Sequence, residues 1–389
     1  MNTNTSHRVG SIDIFRALTM FLMIFVNDFW TILNVPGWLQ HARRAQDMLG
    51  LADIVFPSFL FAVGLSIPFA IEKRFTKGES HLKTGFHILL RSFALLFIGF
   101  ILANATGRHH ADSIFSRPTF IMLTLAGIFL VWNLYPRAKD WKKYLFIALQ
   151  IIGVALLIYL MYIYRDRRGE IMATRGWAVL WIIGWCYLPC ALVYFAARKR
   201  LIVHILVFLG LIACNIAGSH RWLGFVDGFG AMQIYTMSGI IVSLLFTQYG
   251  TTTAGLKKIL VIIAGAGVVF LISGFVARNF WIINKLRFTP TWVYFCTGIS
   301  LLLYALIYWI AEMKGKDKWF NIIKPAGTAT LTCYFVPYWV YAVYDAFPHV
   351  ALPEVIRAQP IGLIKSFVFA LLVIWGTWLL GKIKIKLKI

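Results

Sequence analysis

His41, Asn27 and Asp53 are the residues of this 389-residue chain whose types and spacing point first to chemistry. Asn27 closes one apolar run, Asp53 opens the next, and His41 stands in the polar gap between them. A carboxylate beside an imidazole fixes its tautomer and charge and makes it a base or a nucleophile. The alternative for such a loop histidine is an ordinary surface group. A second group, Asn284 and Lys285, precedes Thr289-Pro290-Thr291-Trp292 at the mouth of a later apolar run, where Lys285 serves either as a snorkelling anchor or as a site residue. A third pair, Asp13 and Arg16, shares one helix face at the start of the first run, as a local ion pair or as the floor of a site open to the cytoplasm.

Other polar candidates carry less. The adjacent His109 and His110 do not converge on one metal from a single extended segment. Cys186, Cys190, Cys214, Cys296 and Cys333 all lie in apolar runs, where a thiol behaves as a small hydrophobe, so neither a metal site nor a disulfide framework is expected. Phosphate-binding glycine loops, a dinucleotide fingerprint and a zinc-helix motif are absent from the sequence.

The elements that position these residues are membrane helices. Hydrophobic residues make up 60% of the chain and charged ones 14%, with a net charge of +23. A soluble domain carries roughly a quarter charged residues, so a nucleic-acid-binding domain and a disordered tail are both excluded. Twelve apolar runs can be placed, at 12–33, 51–71, 88–104, 118–136, 144–163, 176–197, 201–217, 231–249, 259–276, 291–311, 326–346 and 361–381. Each approaches the ~20 residues that a spanning helix needs. The runs are apolar all round, unlike the alternating strands of an outer-membrane barrel. The expected fold is all-α, a polytopic bundle of about twelve spans forming one domain over residues 1–389, with the first span kept as an uncleaved anchor.

Loop charges set the expected orientation. With both termini in the cytoplasm, the inner gaps take Lys73, Arg74, Lys77, Lys83, Lys139, Lys142, Lys143, Lys257, Lys258 and the lysine-rich tail, as the positive-inside rule requires. The outer gaps hold arginines instead: Arg43, Arg44, Arg108, Arg117, Arg165, Arg167, Arg168, Arg175, Arg221, Arg278, Arg287 and Arg357, with Lys285 as their one lysine. Arginine's planar fork suits carboxylate, sulfate or phosphate. These arginines either pair with outer acids such as Asp47, Asp112, Asp166 and Glu170, or meet lipid headgroups, or bind an anionic partner.

The stretch RVGSIDIFRALT at 8–19, then MIFVN at 23–27, His41-Ala42, and ADIVFPSFLFAVG at 52–64 resembles the heparan-α-glucosaminide N-acetyltransferase family and its bacterial homologues. The segment INK at 283–285 with TPTW at 289–292 is similar to a later family motif, and Arg117-Pro118 to its Arg-Pro entry into the fourth span. The likeness is strong over residues 8–104 and fair over 277–340. It implies a ten-span core, exceeded here by an extra pair near 176–217. It also implies acetyl transfer from cytosolic acetyl-CoA, as co-substrate and without a metal, to an amine of a glucosamine-type sugar on the far side of the membrane.

The resemblance makes His41 the catalytic base or acyl carrier, with Asn27 and Asp53 beside it. Arg16, Lys73, Arg74, Arg91, Asn284 and Lys285 are then the candidates for holding acetyl-CoA, and Arg43, Arg44, Arg117 and Trp292 those for the acceptor. The family pattern between its histidine and aspartate carries a Trp and a Thr, whereas the segment 41–53 has neither and is two residues longer. Expected partners are the bilayer and an extracytoplasmic amino sugar or anionic glycan, in a bacterial-type inner membrane, with a homodimer as an open option. The rival readings are a transporter or flippase for an anionic sugar or lipid-linked substrate, and an inactive relative acting in assembly.

Overall fold

The computed structural model describes residues 10–174, 178–219, 230–250, 252–347 and 352–389. Arg175 and Arg221 lie outside the described residues. The helices are α1 (Gly10–Asn27), α2 (Leu51–Thr76), α3 (His81–Ala105), α4 (Arg117–Trp132), α5 (Trp141–Ile163), α6 (Val179–Ala197) and α7 (Leu201–Ser219). They continue with α8 (Ala231–Tyr249), α9 (Thr253–Ala277), α10 (Pro290–Tyr308), a short α11 (Lys324–Thr328), α12 (Thr330–Ala346), a single turn α13 (Glu354–Arg357) and α14 (Ile361–Lys382).

Every one of the twelve apolar runs coincides with a helix. Among the described residues, nine helices are long and apolar enough to cross a bilayer. Helices α1, α4 and α12, 18, 16 and 17 residues long, account for the other three runs. The protein is a multi-pass integral membrane protein with an all-α fold. In a bilayer core no water satisfies backbone groups, and closing all hydrogen bonds within a segment is what selects helices for runs of this composition.

The helices cluster into two compact units. One comprises residues 1–90 and 186–327, the other 91–185 and 328–389. The first is built on α2, which packs against α1, α8 and α10, while α9 lies along α10. Phe15 of α1, Phe61 of α2 and Tyr304 of α10 meet edge to face, with centroids 5.5 to 5.8 Å apart. Hydroxyls tie the same helices together: Ser243 donates to the Leu65 carbonyl at 2.7 Å, and Ser58 and Ser300 lie 3.0 Å apart. In the second unit α4 packs on α5 and α12, and α12 on α14.

Helices α2 and α8 approach so closely that a Cβ on Gly64 would collide with the backbone of Thr236, and one on Gly239 with that of Phe61. Small residues let backbones meet where lipid offers no hydrophobic drive for association. Lengthening either side chain forces α8 away from the helix that carries Asp53. Gly64→Val is expected to destabilise the protein by about 1–3 kcal/mol, the range for overpacking, and to lower the melting temperature in detergent; a thermal melt unchanged from wild type would contradict the close crossing.

Candidate active site

The site begins at the first turn of α2. Gly50 precedes the helix in extended conformation, and Asp53, three residues on, turns its carboxylate back to accept from the Gly50 amide at 3.4 Å. A carboxylate at this position also faces the positive end of the helix dipole. Gly50 is required for a steric reason as well: a Cβ there would run into the Gln40 carbonyl oxygen. The loop 41–50 therefore folds down over the head of α2.

Asp53 is 1% exposed, and four groups surround its two oxygens. Oδ2 accepts from the Ala42 amide at 2.9 Å in addition to Gly50. Oδ1 lies 2.9 Å from His41 Nδ1 and 4.0 Å from Lys285 Nζ. Since the carboxylate accepts, Nδ1 carries the ring proton and Nε2 holds the lone pair. The His41 side chain is 51% exposed, and Nε2 has no hydrogen bond among the described residues. A buried acid thus orients an imidazole whose second nitrogen is open to a reactant, the arrangement that activates bases and nucleophiles.

Lys285 completes the cluster. Its ammonium lies 3.4 Å from His41 Nδ1 and is 11% exposed. Burial lowers its pKa, and the Asp53 charge opposes that shift. Behind Asp53, the Trp292 indole N–H donates to the Asp53 carbonyl at 3.2 Å, and the Cys296 thiol approaches the same oxygen at 3.7 Å.

A second layer of contacts stitches the loop to the segment between α9 and α10. Asn284 is fully buried, donating to the Arg43 carbonyl at 2.8 Å and the Gln46 carbonyl at 2.9 Å, while its own oxygen accepts from the Arg287 amide at 3.1 Å. Asp47 accepts from the Ile283 amide at 2.7 Å and pairs with Arg278 at 3.0 Å. The Ile283 amide is the main reason the Asp47 pKa is lowered, with the Arg278 guanidinium adding to it against a smaller effect of burial.

The sequence-derived candidates separate accordingly. His41, Asp53 and Lys285 come together. Asn27 ends α1 on the surface and has no hydrogen bond to His41 or Asp53 among the described residues. Asn284 spends its amide on the loop rather than presenting it to a ligand. Trp292 is completely buried and holds the backbone of Asp53, so it has no face for an acceptor. Arg43 and Arg44 are exposed on the loop itself.

The remaining basic candidates lie elsewhere. Arg16 bonds to Ser66 and to the Gly327 carbonyl and sits 3.4 Å from Asp13, so the Asp13–Arg16 pair is local. Ser66 is 13 residues beyond Asp53 along α2, which places Arg16 roughly 20 Å from His41's end of that helix. Lys73 and Arg74 occupy the last turn of α2, Lys73 exposed and Arg74 paired with Glu79 at 2.7 Å. Arg91 and Arg117 belong to the second unit, where Arg117 bonds to the Thr106 and Gly107 carbonyls and to Asp345. Sequence reasoning offered Asp47 as a partner for the outer arginines without deciding that it meets Arg278, and missed the Ala42 amide on Asp53. Asp47 and Arg278 were visible as charges, but 231 residues separate them.

Comparison with known proteins follows the same stretch. A family described as a domain of unknown function (DUF5009) matches residues 8–221. The chain belongs to this family. The heparan-alpha-glucosaminide N-acetyltransferase of Mus musculus is 34% identical over 105 residues, 26% of this chain and 15% of the mouse protein. The Homo sapiens protein of the same name is 35% identical over 101 residues, 25% of this chain and 14% of the human protein. The chain therefore matches only a small fraction of the length of these curated relatives, and the likeness to that transferase family read from the sequence is present in both. Within the DUF5009 family member described here, the buried Asp53 and the Asn284 clamp are what hold His41 in place.

Asn284→Ala is expected to leave two loop carbonyls without their donor, destabilising the protein by about 1–3 kcal/mol and lowering the melting temperature. Asp47 contributes stability that is fully present above its unfolded value of 3.8 and is lost as pH falls through its lower folded value. Asp47→Asn should therefore flatten the loss of thermal stability as pH falls below 3.8, measured as melting temperature against pH.

Proposed function

We propose that this protein is a membrane-embedded acyltransferase in which His41 is the catalytic base or the transient acyl carrier. The observation that carries the reading is the His41–Asp53 pair, a buried carboxylate 2.9 Å from Nδ1 with Nε2 open, in a chain similar over about a quarter of its length to proteins named as N-acetyltransferases. The donor is acetyl-CoA, used as co-substrate, and the acceptor an amine of a glucosamine-type sugar. The chain sits N-in and C-in across a bacterial-type inner membrane, with the donor on the cytoplasmic side and the acceptor outside.

A sugar amine near neutral pH is largely protonated, and only its free base attacks a thioester. In the direct route His41 Nε2 removes the amine proton, the nitrogen forms its bond to the acetyl carbonyl carbon, the carbon–sulfur bond breaks, and the proton returns to the departing thiolate. In the two-step route Nε2 itself attacks the acetyl carbon, the carbon–sulfur bond breaks and the thiolate of CoA leaves; the free amine then attacks the acetyl carbon, its bond to Nε2 breaks, and the amine proton passes to the released nitrogen. Either way Asp53 stabilises the charge that develops on the ring. Lys285 balances the charge of Asp53 when the site is at rest. Lys73, Arg74 and Arg16, at and below the far end of α2, are the groups in this unit suited to the phosphates of the donor, and Asn27 is suited to donate to the developing oxyanion.

The second reading, a transporter or flippase for an anionic substrate, draws on the arginines of the α3–α4 and α5–α6 loops. Substrate movement across proteoliposomes without acetyl-CoA would favour it. For the transferase, the test is label transfer from acetyl-CoA to glucosamine in proteoliposomes. His41→Ala is expected to reduce transfer to background and Asp53→Asn to reduce it by roughly 10²–10⁴, the range of positioned acid–base catalysis. Undiminished transfer by a folded His41→Ala protein would sink the reading.

A further inference from the structure

The second unit contains a cavity of about 700 Å³ between the loop that follows α3 and the loop that follows α5. Its lining includes Gly107, Arg108, Tyr164, Asp166, Arg167 and Arg168. None of these residues takes part in the His41 cluster. The volume lies within the ~300–1,000 Å³ typical of small-molecule sites.

The charges around the cavity are unevenly committed. Arg117 is spent on the Thr106 and Gly107 carbonyls and on Asp345 at 3.0 Å. Arg165 is spent on the Tyr162 and Tyr164 carbonyls. His109 Nε2 donates to the Ala105 carbonyl at 2.9 Å, and its burial lowers its pKa, so it adds no charge near neutral pH. Asp112 lies 3.6 Å from His110 and is 91% exposed. Asp166 is 2% exposed, and one oxygen accepts from the Arg168 and Glu170 amides at 2.8 Å, which fixes the turn.

Arg108, Arg167 and Arg168 remain. All three are exposed, all three line the cavity, and among the described residues none has a carboxylate within ion-pair distance. Arg108, Arg167 and Arg168 thus line one space together with a single carboxylate, that of Asp166, one oxygen of which accepts from backbone amides. Like charges brought together by a rigid turn repel one another, and a multiply charged oxyanion relieves that repulsion through paired N–H donors. Among the described residues no carboxylic acid fills that role here, as Asp47 does for Arg278 and Asp345 for Arg117.

We propose that this cavity is a binding site for a phosphate or sulfate ester carried on a sugar-sized group. Arg108 approaches from the α3 side, and Arg167 and Arg168 from the α5 side, so the anion bridges the two loops. Tyr164, 3% exposed, packs its ring against His109 and Phe120 and backs the loop that carries Arg167 and Arg168. The site is independent of the acyl-transfer reading: it defines what is held, whether that is an acceptor or a headgroup.

The test is a titration of the purified full-length protein with glucosamine 6-sulfate and with inorganic pyrophosphate, against sodium chloride of matched ionic strength, read as melting temperature. A parallel arm compares nanodiscs of phosphatidylcholine with nanodiscs containing phosphatidylglycerol. Saturable stabilisation by the soluble anions identifies a soluble ester as the ligand, and stabilisation confined to phosphatidylglycerol identifies a lipid headgroup; both support the site. The triple variant R108Q/R167Q/R168Q is expected to lose the response, and R108K/R167K/R168K to lose about tenfold in apparent affinity because lysine lacks the planar fork. Should the triple glutamine variant fold poorly, R108Q and R168Q singly carry the same expectation. Absence of any anion-specific shift in both arms, or a shift that survives in the glutamine variants or is undiminished in the lysine variant, overturns the proposal. Because the readout is binding, its failure leaves the role of His41 untouched.

Discussion

The carboxylate of Asp53 is the group on which the site depends. A charge that is 1% exposed is tolerated only when its lone pairs are met by donors. Here two amides from the covering loop, an imidazole and a buried ammonium meet them, and each donor is thereby given a fixed place. The loop 41–50 has no helix or strand of its own, so the carboxylate supplies what a helix or sheet would otherwise supply. Remove that anchor and His41 becomes a histidine on an untethered surface loop.

The same economy appears one layer out. Asn284 and Asp47 make no contact with the open face of His41, yet they attach the loop to the head of α10, and α10 packs against α2. The imidazole is consequently held between two helices that are themselves pinned by the Phe15, Phe61 and Tyr304 rings and by the close α2–α8 crossing. A half-exposed imidazole on a loop acquires the rigidity of the helices through a handful of polar contacts. Helix α2 also gives the unit its long dimension, with the imidazole at one end and the basic pair Lys73 and Arg74 at the other.

Arginine plays two distinct parts in this molecule. Arg278, Arg117 and Arg198 are structural: each meets a carboxylate, with Arg198 forming a two-pronged pair with Glu72 at 2.8 and 3.0 Å. Among the described residues, Arg108, Arg167 and Arg168 have no carboxylate within ion-pair distance. From the sequence, pairing with acids, contact with lipid and recognition of an anion were all open explanations for the outer arginines. Side-chain placement divides them, because pairing is a matter of distance and not of composition.

The helical fold and the identity of every long helix were legible in the sequence, since runs of apolar residues at spanning length leave the backbone no other way to close its hydrogen bonds in a bilayer. His41 and Asp53 were legible too, as a polar pair separated by one short gap at the head of a helix. What the sequence could not decide was which distant residues join them. Lys285, Asn284 and Arg278 arrive from more than 230 residues away, brought there by the packing of α9 and α10 on α2, and no local pattern encodes that meeting. The division into two units is likewise a tertiary fact, because each is assembled from separate stretches of chain. Local chemistry and length determined the helices and the central pair. Only the packed structure decided that Trp292 and Asn284 are supports, that Arg117 is already spent, and that Arg108, Arg167 and Arg168 line one cavity.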